Sequence, residues 1–213
     1  MNLKQTKNEL QSILSGKSSF SYDPIIQTIA HKLRTSQKTS PVAEEKHQNK
    51  TQETAFLKEF ANEHNLFVEA INKSDFISKG AEQKVYIKDN KHVIKLNDAI
   101  YYASWEDYFL NLLLHNYFFP DTAYQLLGFY EDTLNFHAVV KQKFIIADQI
   151  TKLIEVKYFL VKNGFENTRN HDYYHPHLGI ILEDLHDENV LTQKGMLYFI
   201  DTVFYIKPEV FWS

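Results

Sequence analysis

The sequence predicts an α+β fold, in which a five-stranded antiparallel sheet with one helix precedes a smaller, mostly helical region that also holds short strands. Two observations support this prediction. Between residues 76 and 143, apolar and polar residues alternate in five short runs, which is the pattern of half-buried strands. Between the third and fourth runs, Ser104 precedes an apolar stripe of Phe109, Leu112 and Leu113, as an N-cap serine precedes an amphipathic helix.

Composition limits the classes of protein and partner that we expect. The chain has 213 residues, of which 44% are hydrophobic and 15% aromatic, enough for one domain of ordinary size. It contains no run of eighteen apolar residues, and residues 1–17 lack the apolar core of a secretory signal, so we expect no membrane partner. The absence of cysteine fits a cytoplasmic protein. A net charge of −4 gives no general attraction to nucleic acid, so we expect none as a partner.

The chain divides into three regions. Residues 1–51 are rich in Lys, Gln, Ser and Thr, and we interpret them as a polar N-terminal arm with short helices at 3–14 and 24–33. Within this arm, residues 34–51 have almost no apolar side chains and are typical of a linker or mobile segment. Residues 52–146 would form the sheet-bearing region and residues 147–213 the smaller one.

The first three predicted strands form a meander with a turn at Gly80 and a lysine, Lys95, on the third strand. In the run V-I-K-L, Lys95 and Val93 lie on the same face because side chains alternate along a strand. A lysine within an apolar strand usually lies at an edge with its ammonium group in water. The alternative is that the ammonium group binds nucleotide phosphates while Val93 packs against the adenine.

A carboxylate on the predicted helix would hold such a lysine in place. Glu106 is our choice, because Asp107 lies three residues after the N-cap Ser104 and is more easily used at the helix start. The alternative is that Glu106 is a solvated surface residue, as many helical acids are.

Residues 179–202 carry the strongest chemical signal. Asp184 and Asn189 lie five residues apart across a short turn, and Asp201 ends the apolar run L-Y-F-I. Phosphoryl transfer uses a carboxylate to orient or deprotonate a hydroxyl group, and an amide oxygen with a second carboxylate to hold Mg²⁺. Such residues are also common in turns for purely structural reasons, so a single match has limited weight.

Between the sheet and this stretch, residues 148–161 predict a helix. We expect Asp148 to cap it and Gly164 to lie beyond its end. Its apolar face would be formed by Ile150, Leu153, Ile154, Tyr158 and Val161. We expect backbone groups of the connection at 143–147 to pair with an adenine edge.

The order of these parts resembles the protein-kinase-like fold between Gly80 and Asp201. More narrowly, several motifs are similar to the compact Ser/Thr/Tyr kinase-like domain of polyvalent proteins from bacterial mobile elements and phages. These motifs are G-A-E-Q-K-V-Y, V-I-K-L, H-N-Y-F-F-P-D-T-A-Y, G-F-Y, V-V-K-Q and D-L-H-D-E-N-V-L. The resemblance covers about two-thirds of the chain and leaves residues 1–51 unexplained.

The resemblance implies an ATP- and Mg²⁺- or Mn²⁺-dependent phosphotransferase, a minimal Ser/Thr or Tyr protein kinase acting on a protein substrate. It implies that Asp184 is the catalytic base, that Asn189 and Asp201 bind the metal, and that Lys95 with Glu106 anchors the phosphates. The ATP-binding residues that it implies are Gly80, Val85, Val93, Lys95, Gln142, Lys143 and Leu191.

The sequence departs from the family pattern in three places. Only Gly80 stands in the turn over the phosphates, Leu182 replaces the usual His before the catalytic Asp, and Thr202 follows Asp201 where a Phe is usual. The sequence ends twelve residues after Asp201, so we expect substrate recognition without a helical peptide-docking lobe. Two alternatives stay open, a small-molecule kinase and a nucleotide-binding pseudokinase or interaction module.

Two further features have a chemical and a structural interpretation. His171, Asp172, His175 and His177 lie within seven residues, so a metal site is conceivable, but a polar loop before a buried strand is favoured. Phe211 and Trp212 are expected to fold back as a lid over the smaller region. Alternatively, these two aromatic residues and the N-terminal arm form a surface that captures a folded partner.

Overall fold

The structure is a computed structural model that describes residues 2–18, 23–37, 46–80 and 83–213. The helices are α1 (Leu3–Leu14), α2 (Pro24–Gln37), α3 (Lys46–Glu63), α4 (Trp105–Phe118), α5 (Leu153–Lys162) and α6 (Pro208–Phe211). The first five strands are β1 (Phe76–Lys79), β2 (Gln83–Asp89), β3 (His92–Asn97), β4 (Gln125–Glu131) and β5 (Phe136–Lys143). The remaining strands are β6 (Glu166–Arg169), β7 (Asp172–His175), β8 (Ile180–Glu183), β9 (Val190–Gln193), β10 (Met196–Phe199) and β11 (Val203–Ile206).

The first five strands form the predicted antiparallel sheet, in the order β1-β2-β3-β5-β4. The predicted N-cap of α4 is also confirmed, because the Ser104 hydroxyl oxygen accepts a hydrogen bond from the Asp107 N–H at 3.0 Å. Alternation of apolar residues therefore predicted both the number of strands and the place of the helix between them.

The register of the sheet sets the surroundings of Lys95. Val85 on β2 and Val140 on β5 lie directly opposite Lys95, so their three side chains share one face. Helix α4 covers this face, with the ring of Trp105 5.7 Å from that of Phe136. Lys95 is therefore buried between sheet and helix, with 4% of its surface exposed, and is not an edge lysine.

The N-terminal helices belong to the same hydrophobic core. Their apolar residues Leu10, Ile26, Ile29 and Leu33 are fully buried in the cluster that includes α4. The interpretation of residues 1–51 as a polar arm is wrong in this respect for the described residues, although the two short helices are confirmed. The predicted linker is wrong at both ends, because α2 continues to Gln37 and α3 begins at Lys46. Residues 38–45 lie outside the described part of the chain.

Side-chain contacts also fix the N-terminal helices to distant parts of the chain. The Asp23 carboxylate accepts a hydrogen bond from the Leu126 N–H at 2.7 Å, and the Lys7 ammonium group donates to the Val210 carbonyl at 2.6 Å. Charge-assisted hydrogen bonds of this kind contribute more than ordinary ones. The N-terminal segment is therefore integral to the fold.

Residues 147–213 contain more strand than helix, so the expectation of a mostly helical region is wrong. Strands β6, β7, β8 and β11 form an antiparallel sheet in the order β11-β8-β7-β6, and β9 pairs with β10. In β7 every second residue, Tyr173 and His175, is buried, which is the period of a half-buried strand. The run N-T-R-N-H-D-Y-Y-H has few aliphatic residues, and this composition favoured an irregular loop.

Helix α5 differs from its prediction in its start and in its buried face. It begins at Leu153, while the Asp148 carboxylate accepts a hydrogen bond from the Lys194 N–H at 3.0 Å instead of capping the helix. Val156 and Leu160 face the core, whereas Ile154 is 69% exposed. The helix has apolar residues on all sides, so periodicity alone did not determine which side is buried.

The C-terminal aromatic residues fold back, both onto the smaller region at Gly179 and onto the N-terminal helices. Phe211 is fully buried, and the guanidinium carbon of Arg34 lies 3.9 Å from the centre of the Trp212 ring. This placement removes Phe211 from any partner-capturing surface. Among the described residues, no helix has the length and apolar character that spanning a membrane requires.

Candidate active site

Asp184 lies at the end of β8 on a tight turn that presents its side chain to solvent. Its φ of 64° is in the left-handed region, which Asp tolerates better than most residues. Its N–H donates to a carboxylate oxygen of Asp172 at 3.2 Å, and 57% of its side chain is exposed. The turn therefore holds this carboxylate outward, toward solvent.

Asn189 connects Asp184 with Asp201. Its side-chain N–H group donates to the Asp184 carbonyl oxygen at 2.8 Å and to the Asp184 carboxylate at 2.9 Å. Its backbone carbonyl accepts from the Ile200 N–H at 2.9 Å and from the Asp201 N–H at 3.4 Å. Since these contacts occupy the amide nitrogen, the side-chain carbonyl oxygen is the atom that can serve as a ligand. The three predicted residues lie in one hydrogen-bonded network.

Lys95 reaches the same network through a backbone carbonyl group. The Lys95 ammonium group and the Tyr124 hydroxyl group both donate to the carbonyl oxygen of Ile200, at 2.7 Å and 2.9 Å. Burial lowers the pKa of Lys95, and the nearby negative charge of Asp201 opposes this shift. The structure thus brings Lys95 next to Asp201, as the sequence predicts.

The turn between β1 and β2 also contacts Asp201. The side-chain amide of Gln83 donates a short hydrogen bond to the Asp201 carboxylate. The N–H of Gly80 donates to the Gln83 carbonyl at 2.9 Å, so Gly80 stands at the base of this turn, as predicted. The intervening residues 81 and 82 lie outside the described residues. The sequence did not indicate this contact between Gln83 and Asp201.

Glu106 does not meet Lys95 in this structure. Glu106 lies in the first turn of α4 and lines a surface pocket together with Arg34 and Trp212. Lys95 lies instead near His115, because its ammonium group is 5.5 Å from the Tyr124 ring centre and that centre is 4.6 Å from the His115 ring centre. His115 is nine residues after Glu106, which is roughly 14 Å along a helix at 1.5 Å per residue. Among the ion pairs between described residues, none joins Lys95 to Glu106.

His115 is a buried polar residue that the sequence interpretation missed. It is fully buried, its Nε2–H donates to the Thr122 carbonyl at 3.1 Å, and its Nδ1 accepts from the Thr202 hydroxyl group at 2.7 Å. Burial lowers its pKa to about 3, so the ring is neutral. Thr202 follows Asp201, so His115 connects α4 to the end of the site. Its place directly after three leucines, residues 112–114, was the available signal.

We expect His115 to make stability fall in mild acid. The pKa of His115 in the folded protein, about 3, lies below its ordinary value of 6.5. The contribution of His115 to the free energy of unfolding is therefore complete above pH 6.5 and is lost as the pH falls toward 3. At pH 5 the loss amounts to about 2 kcal/mol of unfolding free energy. Urea unfolding at pH 7.5 and pH 5 measures it. The His115→Gln variant should lose about 2 kcal/mol less over this interval, and an equal loss in both proteins would contradict the assignment.

The candidate adenine-binding residues lie on or beside the Lys95 face. Val93 lies opposite Gln142 in the register of β3 and β5. The Gln142 side chain is buried and donates to the Thr122 carbonyl at 2.7 Å, so it is used inside the protein. The Lys143 ammonium group lies 5.3 Å from the Tyr198 ring centre. Leu191, on β9, is the direct neighbour of that tyrosine on β10.

The connection after β5 has two backbone groups already in use. The Phe144 N–H donates to the Lys91 carbonyl at 2.7 Å, and the Ile146 carbonyl accepts from the Gln193 side chain at 2.7 Å. An adenine edge would therefore pair with other backbone groups in residues 143–147.

The histidine-rich segment has a structural role in the described part of the protein. The Asp172 carboxylate accepts the hydrogen bond from the Asp184 N–H and so positions that residue. His175 is buried, and its Nδ1 accepts a hydrogen bond from the Leu178 N–H at 3.3 Å. No group of three or more His, Cys, Asp or Glu side chains among the described residues converges as metal ligands would. Leu182, at the position of the usual histidine, is fully buried between β7 and β11.

The oxygen atoms of the site fit a hard divalent cation. Mg²⁺ prefers carboxylate and carbonyl oxygens together with phosphate and water. Asp201 supplies a carboxylate and Asn189 a side-chain carbonyl, and the network that joins their backbones holds both at one place. Beside them lie a buried ammonium group, that of Lys95, and an exposed carboxylate, that of Asp184.

Comparison with known proteins identifies one family. A family model described as Serine/Threonine/Tyrosine Kinase found in polyvalent proteins matches residues 50–208. The match spans the five-stranded sheet, α4 and the turn that carries Asp184. No curated protein and no solved structure matches the chain.

Proposed function

Because this family model covers more than half of the chain, the protein belongs to the Ser/Thr/Tyr kinases found in polyvalent proteins, and we propose that it transfers phosphate from Mg²⁺- or Mn²⁺-bound ATP to a protein hydroxyl group. In this reaction the hydroxyl oxygen forms a bond to the γ-phosphorus, the bond from that phosphorus to the bridging oxygen breaks, and ADP leaves. The observation that carries the proposal is the single network that joins Lys95, Asp184, Asn189 and Asp201.

The position of each side chain suggests its role. Asp184 has an exposed carboxylate on a fixed turn, and we assign it to orient the acceptor hydroxyl group and take its proton. The Asn189 carbonyl oxygen and the Asp201 carboxylate would hold the metal ion. A Mg²⁺ ion held by these two groups would neutralise the negative charge that develops on the leaving ADP. The surrounding hydrogen bonds fix these groups before substrate arrives.

Lys95 is suited to bind phosphate without leaving its present place. An ammonium group has three N–H donors, and one of them is directed at the Ile200 carbonyl. The other two can donate to the α- and β-phosphates while the link between β3 and the Asp201 segment is kept. Gln83, by contrast, contacts the Asp201 carboxylate itself and would have to share it with the metal ion.

We propose that the acceptor is a protein. The part of the chain beside Asp184 is the sheet of β6, β7, β8 and β11, which offers strand edges and loops instead of a helical groove. Recognition through such a surface depends on the shape of a folded partner. Short Ser/Thr peptides would then be poor substrates, whereas an intact protein would be labelled at one or a few sites.

The proposal is tested by binding and transfer with the purified protein. Calorimetric titration with ATP is expected to show binding that depends on Mg²⁺ or Mn²⁺, and incubation with labelled ATP and a cell lysate is expected to label a small number of proteins. Binding of ATP without any transfer under these conditions would indicate a pseudokinase. Absence of metal-dependent binding would contradict the proposal.

The separation of Glu106 from Lys95 leads to a specific expectation. Lys95→Met keeps the aliphatic stem but removes the phosphate ligand, so kcat/KM for ATP should fall on the order of 10²-fold or more. Glu106→Gln should change kcat/KM less than about threefold, because Glu106 lies away from the Lys95 network and glutamine keeps the size of the side chain. Steady-state kinetics of the two variants measure this. An equal loss in both variants would show that the two residues act as a pair during catalysis.

A further inference from the structure

Helix α5 exposes an apolar stripe on the side that faces away from the core. The stripe consists of Ile154, Tyr158 and Val161, which are 69%, 61% and 51% exposed. Ile150, just before the helix, is 87% exposed. On the opposite side of α5, Val156 is buried. A helix that is apolar on both sides is normally buried on both sides, and contiguous apolar patches on monomers often mark interaction sites.

The charges beside the stripe show which partner fits. Glu155 lies near the N-terminal end of α5 and Lys162 at its C-terminal end, seven residues and almost two full turns apart, so they lie on the same flank of the stripe. Lys162 borders the stripe directly, with its ammonium group 4.4 Å from the Tyr158 ring centre. The stripe thus has a negative end and a positive end on one flank.

An antiparallel copy of α5 is complementary to this pattern. When two identical helices pack antiparallel about a twofold axis, each residue near the start of one helix meets a residue near the end of the other. Glu155 of each helix then lies opposite Lys162 of the other, and the two apolar stripes cover each other. The same arrangement places the two helix dipoles antiparallel, which is favourable.

We propose that the α5 stripe forms a twofold-symmetric dimer with a second copy of this chain. The contact would be small, because one helix of ten residues covers less than the roughly 800 Å² per partner of a standard interface. The dimer should therefore be weak, with a dissociation constant on the order of micromolar. This inference does not depend on phosphoryl transfer, and either can fail without the other.

Charge reversal tests the pairing. In sedimentation velocity over a range of concentrations, Glu155→Lys and Lys162→Glu are each expected to raise the dissociation constant about tenfold or more, by placing like charges opposite each other. The double variant Glu155→Lys/Lys162→Glu should return within about threefold of the parent. Residues seven apart do not contact each other within one helix, so this restoration reports a contact between two chains.

Glu155 also pairs with Lys152 in the same chain at 3.2 Å, so the variants need a folding control. Thermal unfolding of all three variants should remain close to that of the parent, since an exposed pair contributes little stability. A parent chain that stays monomeric at concentrations of several hundred micromolar would overturn the proposal. So would a double variant that fails to recover dimerisation.

Cysteine cross-linking supplies an independent test. The chain contains no cysteine, so Tyr158→Cys introduces a single thiol per chain at the centre of the stripe. Treatment with a short bismaleimide is expected to give a covalent dimer. The matched control is Leu134→Cys, whose side chain is 88% exposed in the turn after β4 and should give none. Equal cross-linking of both variants would mean random collision and would contradict the proposed interface.

Discussion

Replacing Asp201 with asparagine is expected to abolish phosphotransfer, with a fall in kcat on the order of 10³-fold or more. Asparagine keeps the size of the side chain and its capacity to accept a hydrogen bond from Gln83, so the fold should be preserved. The variant loses the negative charge that would hold the metal ion against the phosphates. Metal-dependent ATP binding in a calorimeter should weaken in parallel.

The matched control is Asp187→Asn in the neighbouring turn. Asp187 is exposed and stands outside the network of Asp184, Asn189 and Asp201, so its removal should change kcat less than about twofold. If Asp201→Asn keeps normal activity, or if both variants lose activity equally, Asp201 does not have the assigned role.

Replacing Asp184 with asparagine is expected to lower kcat by about 10²-fold or more, the scale of a positioned general base. Asparagine also tolerates the left-handed backbone at this position, where alanine would add strain. The effect of the charge is thereby separated from an effect on the turn. Stopped-time assays at saturating ATP measure kcat, and titration with ATP measures binding.

ATP binding should distinguish Asp184 from Asp201. Since Asp184 is assigned to the acceptor hydroxyl group, Asp184→Asn should leave the dissociation constant for Mg-ATP within about threefold of the parent. A large loss of ATP binding would indicate that Asp184 serves mainly the metal or the phosphates. Unchanged labelling of a substrate would show that it is not the base.

The sheet and the central residues of the candidate site were predictable because they depend on local patterns. Alternation specified five strands, and Ser104 marked the start of α4. Asp184, Asn189 and Asp201 were noticeable because polar residues interrupt apolar runs at strand ends. Local sequence is sufficient where the residues that define a feature are neighbours along the chain.

The features that the sequence did not predict depend on distant contacts. Which side of α5 is buried depends on the elements around Val156, and no residue of the helix encodes that choice. Glu106 was chosen as a partner because it is acidic and lies on the helix that covers Lys95, whereas it occupies the first turn of that helix and Lys95 lies beside the last turn, near His115. His115 was missed because its partners, Thr122 and Thr202, are far from one another in the sequence.

The N-terminal helices show the same limit. Few residues of α1 and α2 are apolar, so composition favoured an exposed arm. Their apolar residues nevertheless lie on one side of each helix, and α4 supplies the surface that buries them. A short amphipathic helix reveals its face in sequence, but its partner is known only from the tertiary structure.

The central claim is that this site transfers the γ-phosphoryl group of ATP, and the position of the transferred label tests it most directly. The protein is incubated with Mg²⁺ and substrate, using ATP labelled either at the γ- or at the α-phosphate, beside the Asp201→Asn variant. We predict incorporation from γ-labelled ATP alone, and its loss in the variant. Incorporation from α-labelled ATP, or equal γ-labelling by the Asp201→Asn variant, would contradict the account.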